Sequence, residues 1–284
     1  MGADPRLVKP NEPGAKKRFG QHFLRDTGVL DRITRWIQPS SGDLFLDIGA
    51  GAGALSLRLI PKAARLLSIE IDEDCIPQLQ ESLSPFPNAV VISGDFLQLK
   101  LEDLLAPYLQ PGFRLRIAGN LPYNIATAII ERLLHANLPV YDMSFMVQLE
   151  VAQRITALPG KREYGYFSVE CQHHAEVRFG FKVSPACFVP RPNVMSAMVS
   201  FHPKSSSLDS TVEPYFEMLT KAAFSYRRKT LENSLSRHPV LHGFSSLLLE
   251  RAGISGSRRA EALSVQEFEH LARVYSELRS TTDP

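Results

Sequence analysis

Between residues 44 and 155 short apolar runs alternate with runs of helical spacing, and this alternation limits the fold more than any other feature of the chain. "LFLDIGAG" is followed by "ALSLRLIPKAARL", "LLSIEID" by "EDCIPQLQESL", "NAVVISGD" by helical spacing across 97–105, and "RLRIAGN" by "NIATAIIERLL". "MSFMVQLEVAQRI" continues the series, and "TGVLDRITRWIQ" (27–38) supplies a helix before it. Strands joined through helices lie parallel, so the expectation is an α/β fold with a Rossmann-like, doubly wound sheet. Ligands of such sheets sit at the carboxyl ends of the strands.

The pattern then changes. From about 165 to 201, "YFSVECQHHAEVRFGFKV" and "VMSAMVSF" read as closely spaced β segments around a proline-rich loop. "HPKSSSLDS" (202–210) is polar and turn-rich, and residues 211–279 are helical in spacing throughout. The expected domains are 1–204, with residues 1–20 as a flexible basic arm, and a small all-α domain over 205–284.

Four strand ends carry the polar residues. Gly49, Gly51 and Gly53 follow the first strand directly, Glu70 ends the second, Asp95 the third and Asn120 the fourth. Small residues let the backbone approach a ligand, N–H groups at a helix start can meet an anionic group, and an acid about twenty residues on can hold ribose hydroxyls. Singly, each is more often a turn or a cap residue. Together, at one edge of one sheet, they favour a nucleoside-containing cofactor. The spacing G-x-G-x-G departs from the dinucleotide pattern G-x-G-x-x-G, because residue 54 is alanine.

Composition excludes more than it assigns. The net charge is only +2 over 284 residues, so bulk charge does not mark a nucleic-acid binder and local clusters must carry that reading. Two exist: Lys16, Lys17 and Arg18, and Arg227, Arg228 and Lys229, the second beside Phe224 and Tyr226. Short basic runs are usually solvated faces, but basic charge with aromatic rings suits single-stranded RNA. Cys75, Cys171 and Cys187 are scattered without a C-x-x-C pair, which suits reduced thiols. His173 and His174 fall in a strand-like stretch that would point them to opposite faces, so no metal is expected. Neither a signal-peptide core nor a membrane-length apolar run is present, and the expected location is the cytoplasm.

"RFGQHFLRD", "DIGAGAG", "IEID", "GDF", "GNLPYNIAT", "YGYFSV", "FVPRPNVMSAMV" and "AFSYRRKTLENSL" resemble the ribosomal RNA adenine N6-dimethyltransferases, in order and spacing, from about Lys17 to the last helix. Within that family the likeness is to the branch that acts on the small ribosomal subunit. It implies S-adenosylmethionine as cofactor and a seven-stranded methyltransferase sheet with a small C-terminal all-α domain. Carried across by position, the cofactor residues are His22, Leu24, Gly49, Gly51, Glu70, Asp95 and Asn120, with Glu70 on the ribose and Asp95 on the adenine amine. The family commonly has Asn where His22 stands and Glu where Asp47 stands.

The resemblance also gives "NLPY" (120–123) tasks that a bare strand-to-helix turn lacks. The exocyclic nitrogen of adenine is a poor nucleophile because its lone pair is delocalised into the ring. Two acceptors on its N–H bonds favour a pyramidal nitrogen and aim the lone pair. The Asn120 side-chain oxygen and the Leu121 carbonyl are the expected acceptors. Pro122 holds Leu121 extended and adds no N–H. Tyr123 and Phe188, the latter from "FVPRPNVMS", are expected to stack on the two faces of the base. Lys16, Lys17, Arg18, Lys221, Arg227, Arg228 and Lys229 are the expected RNA contacts. The expected partner is small-subunit ribosomal RNA within a pre-30S particle, bound by a monomer. The rival readings are a large-subunit methyltransferase of the antibiotic-resistance type, a non-catalytic assembly factor on the same fold and, more weakly, a nicotinamide-dependent oxidoreductase.

Overall fold

The computed structural model describes residues 21–282, so Lys16, Lys17 and Arg18, with the rest of the expected arm, lie outside the described residues. The chain packs as two compact units. One comprises the residues up to 152 together with 177–203, the other 153–176 together with those from 204 onward.

The elements run β1 (Phe23–Leu24), α1 (Thr27–Ile37), β2 (Asp43–Ile48), α2 (Ser56–Leu59), β3 (Arg65–Glu70), α3 (Ile76–Leu83), β4 (Ala89–Ser93) and α4 (Leu101–Leu105). Then come β5 (Arg114–Asn120), α5 (Ala126–Leu134), β6 (Val140–Gln148), α6 (Leu149–Ile155), α7 (Tyr166–His174), β7 (Ala175–Val183), β8 (Phe188–Val189) and β9 (Ser196–Pro203). Seven strands form one sheet in the order β4-β3-β2-β5-β6-β9-β7. From β4 to β6 the neighbours are parallel, and β9 is antiparallel to β6. The chain runs outward from β2 through β3 to β4 and returns to place β5 on the other side of β2. The strand order therefore reverses between β2 and β5, which is where an open α/β sheet presents its ligand crevice.

Burial explains these elements. Every residue of β2 is buried, as expected for a central strand covered on both faces. In α1, Leu30, Ile33, Thr34 and Ile37 form the inward stripe, Asp26 caps the first turn by accepting from Val29 N at 3.0 Å, and Gln38 stops the helix in a left-handed conformation. Arg116 joins that helix end to the sheet. Its guanidinium grips Asp142 through two bonds of 2.7 Å, reaches Asp43 at 2.9 Å, and donates to the carbonyls of Ile37 at 2.6 Å and Gln38 at 3.1 Å. The last two are helix-end carbonyls with no partner inside the helix.

The second unit corrects the reading of 165–201 as wholly β. Residues 166–174 form α7, and 153–176, expected in the sheet domain, packs with the C-terminal helices. Those are α8 (Glu213–Phe224), α9 (Leu231–Leu235), α10 (Ser245–Arg251) and α11 (Val265–Thr282), the all-helical run expected after the 202–210 linker. Tyr164 and Val169 enter their core with Phe216, Phe268 and Tyr275, and the Tyr164 hydroxyl donates to the Leu263 carbonyl at 2.9 Å. Phe167 through Cys171 and His173 are all buried, so α7 has no polar face from which a 3.6-residue period could be read.

The argument against a metal from opposite strand faces fails with it. His173 and His174 stand 4.8 Å apart between ring centroids, and both approach the Glu213 carboxylate, at 2.7 and 4.0 Å. His173 is fully buried and meets Glu269 through Nδ1 at 2.9 Å and Glu213 through Nε2. Two carboxylates facing both ring nitrogens make this cluster a tie between α7, α8 and α11.

Candidate active site

A cavity of about 230 Å³ opens at the carboxyl ends of the parallel strands. Of the residues expected at a cofactor, His22, Gly49, Gly51, Glu70, Asp95 and Asn120 all line it, and so do Leu121 and Tyr123. The parallel register brings all but His22 together, since each of the others follows or ends a neighbouring strand, while His22 directly precedes β1. Two glycines are needed for the cavity's shape. Gly51 has φ +56°, and a Cβ there would stand 3.0 Å from the Phe23 ring. At Gly119 a Cβ would fall 2.5 Å from the Ile48 carbonyl oxygen, so β5 can approach β2 this closely only without a side chain.

Glu70 is 4% exposed. Its carboxylate accepts from Gly51 N at 2.7 Å, Ile71 N at 2.9 Å and Asp72 N at 2.8 Å. Burial raises its pKa above the ordinary glutamate value, and the three backbone donors work against that rise. Those bonds also fix the carboxylate's position in the cavity wall. Asp95 accepts from Leu97 N at 3.0 Å through Oδ1, which orients the side chain in the turn after β4.

Asn120 ends β5. Its Nδ2 donates to the His22 carbonyl at 2.9 Å, while Oδ1 is buried with no hydrogen-bond partner among the described residues. A buried amide oxygen without a partner is costly, and at a cavity wall it marks an acceptor awaiting a donor. Next to it, Leu121 N donates to the Met146 carbonyl at 3.0 Å, and Leu121 O accepts from no group among the described residues. The Tyr123 hydroxyl is bonded to Ser196 Oγ, which holds the ring in place. Burial raises the Tyr123 pKa.

His22 lies beside that ring, with centroids 5.0 Å apart, and its Nδ1–H donates to the Pro190 carbonyl at 2.8 Å. With Nδ1 so engaged, Nε2 is the ring nitrogen left for a ligand. Leu24 is buried and lines a neighbouring hollow of about 50 Å³ rather than the main cavity. Phe188 also departs from its expected place. Its Cα pairs with Leu24 across β1 and β8, and the ring, 2% exposed, joins the core with Val183 and Met198. The antiparallel pairing turns this ring inward, so Phe188 does not form a wall of the cavity.

Asp47, at the end of β2, lines the small hollow and is 1% exposed. Oδ2 accepts from Ser56 Oγ at 2.6 Å, whereas Oδ1 is buried without a partner among the described residues. Burial, with a smaller contribution from the Glu70 charge, raises its pKa from 3.8 to about 7. An unfolded chain releases this proton near 3.8 while the native state holds it to about 7, so stability falls as pH rises through that window and then levels off. The loss amounts to at most about 4 kcal/mol. Asp47→Asn removes the titration. The variant's stability, measured by denaturant unfolding between pH 4 and 8, is expected to gain on the wild type as pH rises. A constant offset from the new amide leaves that slope intact, and parallel curves would show that Asp47 does not titrate there.

The residues expected on RNA in the helical unit are exposed. Arg227, Arg228 and Lys229 occupy the turn between α8 and α9, and Arg227 donates to the Arg162 carbonyl at 3.1 Å. Lys221 pairs with Glu217 and lies 5.7 Å from the Tyr166 ring centre. Tyr226 is 43% exposed beneath Arg237, whereas Phe224 packs towards Tyr164 and Phe268 in the core. Only Tyr226 of the two rings is available to a ligand. The sequence reading missed Phe23, Phe96 and Ile129 at the cavity and Gly119 at the neighbouring hollow. A glycine inside an apolar strand was the one available signal, and it marks Gly119 alone.

A family model described as ribosomal RNA adenine dimethylase matches residues 13–277. A ribosomal RNA small subunit methyltransferase A from Chromohalobacter salexigens is 40% identical over 276 residues, which is 97% of this chain and 96% of the relative. Among solved structures, a dimethyladenosine transferase from Plasmodium falciparum is 25% identical with a TM-score of 0.78, covering 90% of this chain and 98% of that one. The 23S rRNA methyltransferase ErmE is 25% identical with a TM-score of 0.69, over 89% of this chain and 99% of that one.

Proposed function

Because the chain belongs to the ribosomal RNA adenine dimethylase family, we propose that it methylates N6 of two adjacent adenosines near the 3′ end of small-subunit ribosomal RNA, giving N6,N6-dimethyladenosines. The small-subunit assignment follows the 40% identical relative, and the observation that carries the chemistry is the unpartnered, buried Oδ1 of Asn120. The likeness to a 23S enzyme is weaker, at 25% identity, and makes large-subunit RNA the control substrate to test.

The cavity fits S-adenosylmethionine. The buried Glu70 carboxylate suits ribose hydroxyls, and Asp95 keeps an oxygen for an adenine amine while the other accepts from Leu97 N. Gly49 and Gly51 leave room for a ligand at the β2 end. When bound, the cofactor supplies a methyl group already activated on a sulfonium.

The chain's own residues do the rest. Asn120 Oδ1 and the Leu121 carbonyl accept the two N–H bonds of the target amine and hold its nitrogen pyramidal. The His22 carbonyl fixes the Asn120 amide so that its oxygen, not its nitrogen, faces the substrate. Tyr123, steadied by Ser196, stacks on the base. Phe188 acts by packing β8 against β1, and through that pairing keeps His22 beside Asn120. Arg227, Arg228, Lys229 and Lys221 supply RNA contacts through phosphate neutralisation. On this reading the enzyme works as a cytoplasmic monomer on a pre-30S particle. Among the described residues, no helix is long and apolar enough to cross a membrane.

The deciding experiment incubates the protein and S-adenosylmethionine with a 3′ fragment of small-subunit RNA and, separately, with large-subunit RNA. The expected result is a mass gain of four methyl groups on two adjacent adenosines of the first. Modification of the large-subunit RNA alone would reverse the assignment, and modification of neither would leave the fold without this activity.

A further inference from the structure

A set of metal-ligating side chains converges in the helical unit, where α7 ends against α8 and α11. His173 and His174 are the last two residues of α7, and Glu213 is the first of α8. Neighbouring residues of a helix point about 100° apart. These two rings nevertheless stand 4.8 Å apart, and both turn Nε2 to the same Glu213 oxygen, Oε1. One ligand atom from each of the three residues lies within 4.8 Å of the other two.

The surroundings match those of a metal-bound histidine. His173 Nδ1 meets Glu269 Oε1 at 2.9 Å, a contact that places a proton on Nδ1 and leaves the Nε2 lone pair for a cation. That lone pair then faces another acceptor, Glu213 Oε1, at 2.7 Å. A neutral imidazole has one N–H and cannot donate to both carboxylates. The buried contact therefore needs either a second proton on the ring or a cation shared by nitrogen and oxygen. Glu213 is itself oriented, because its Oε2 accepts from Ser206 Oγ at 2.9 Å while Oε1 is directed at the histidines. The Phe216 ring stacks on His173 with centroids 3.9 Å apart and covers one face of the imidazole. An ion has a way in, since the His174 and Glu213 side chains are 17% and 29% exposed. His174 Nε2 also meets Glu170 Oε1 at 3.2 Å, and a metal would take the place of that bond.

We propose that His173 Nε2, His174 Nε2 and Glu213 Oε1 bind one zinc ion, with Glu269 holding the His173 ring from behind. Two imidazoles and one carboxylate suit Zn²⁺, whereas Mg²⁺ and Ca²⁺ take oxygen ligands. Zinc bonds of about 2.0–2.1 Å set tetrahedral ligands roughly 3.3 Å apart. The His173–Glu213 contact then opens, and the His174–Glu213 contact closes, by less than about 1 Å each. Water completes the tetrahedron. The ion joins α7 to α8 directly and to α11 through Glu269. None of these residues lines the methyl-transfer cavity, so the site adds to the proposed activity without taking part in it.

The test adds zinc chloride to full-length protein previously stripped with a chelator, and reads bound metal by elemental mass spectrometry alongside the melting temperature. One zinc per chain is expected. At free zinc a hundredfold above Kd, the melting temperature should rise by about 5–10 °C, as for a ligand that binds the native state alone. Magnesium chloride should give no rise. His174→Gln and Glu213→Gln each remove a ligand, and each should weaken zinc binding by about 100-fold or more; Glu269→Gln, which only loosens His173, should weaken it about 10–100-fold. Cofactor affinity should remain that of the wild type in all three. X-ray absorption at the zinc edge of the loaded wild type reads the ligands without any substitution, and it decides the matter if a variant misfolds. Nitrogen and oxygen neighbours are expected, and sulfur neighbours would place the metal on cysteine and overturn the proposal. So would a wild type that takes up no stoichiometric zinc, an equal rise with magnesium, or wild-type zinc affinity in folded His174→Gln and Glu213→Gln.

Discussion

Asn120→Ala is expected to lower the rate of methyl transfer about 10²–10³-fold at saturating cofactor, the usual cost of removing one preorganised polar contact at a reacting group. The amide has two jobs that the substitution ends together. Its Nδ2 is already committed to the His22 carbonyl, and its Oδ1 is the buried acceptor without a partner. Because one partner exists before substrate arrives, the oxygen is aimed in advance, and little reorganisation is left for the reaction. Asn120→Asp separates geometry from charge, since it keeps an acceptor but places a carboxylate where the amide donated. Single-turnover rates at several cofactor concentrations check the prediction. A variant restored to wild-type turnover by excess cofactor would show that Asn120 serves binding alone.

Arg116→Met is expected to destabilise the sheet unit by about 3–5 kcal/mol, the range for removing one partner of a buried ion pair. Arg116 is 6% exposed, and Asp142 and Asp43 are 6% and 0% exposed. Asp43 keeps Arg114, but Asp142 loses its guanidinium, and the Ile37 and Gln38 carbonyls lose their donors. Such a loss would lower the melting temperature by about 10 °C at the usual 2–4 °C per kcal/mol for domains of this size. Adding Asp142→Leu should recover part of it, because an apolar pair of similar volume replaces an uncompensated charge. If the double substitution proves no more stable than the single one, the cost lies in packing rather than in the buried charge.

Where a residue ends a parallel strand, the sequence was a good guide. Gly49, Glu70, Asp95 and Asn120 fall at one edge because strand–helix–strand connections bring every carboxyl end to the same side, and periodicity reveals that without any tertiary information. The failures have separate causes. In α7 burial on all sides removed the helical period and left an accidental alternation that reads as strand. Phe188 lies in a motif that announces stacking, yet its direction is set by pairing with Leu24, a partner 164 positions earlier that no local pattern discloses. Gly119 matters because of a neighbouring strand's carbonyl. Asp47 looked like a shortened glutamate, and only its burial beside Ser56 and Glu70 shows what a shorter acid does there.

The bond between the His22 carbonyl and Asn120 also bears on how the enzyme is made. His22 is held in turn by Pro190, and β1 beside it by pairing Phe23 with Val189. The ribosome emits the first of these residues early and the last 168 positions later, roughly 10–30 s apart at about 5–20 residues per second. During that interval the β2 and β3 ends can fold and form much of the nucleoside-facing wall, but nothing yet orients the Asn120 amide. A nascent chain on the ribosome can thus acquire cofactor-binding surface well before it can aim a target amine, and a chain truncated ahead of Val189 would keep the first property without the second.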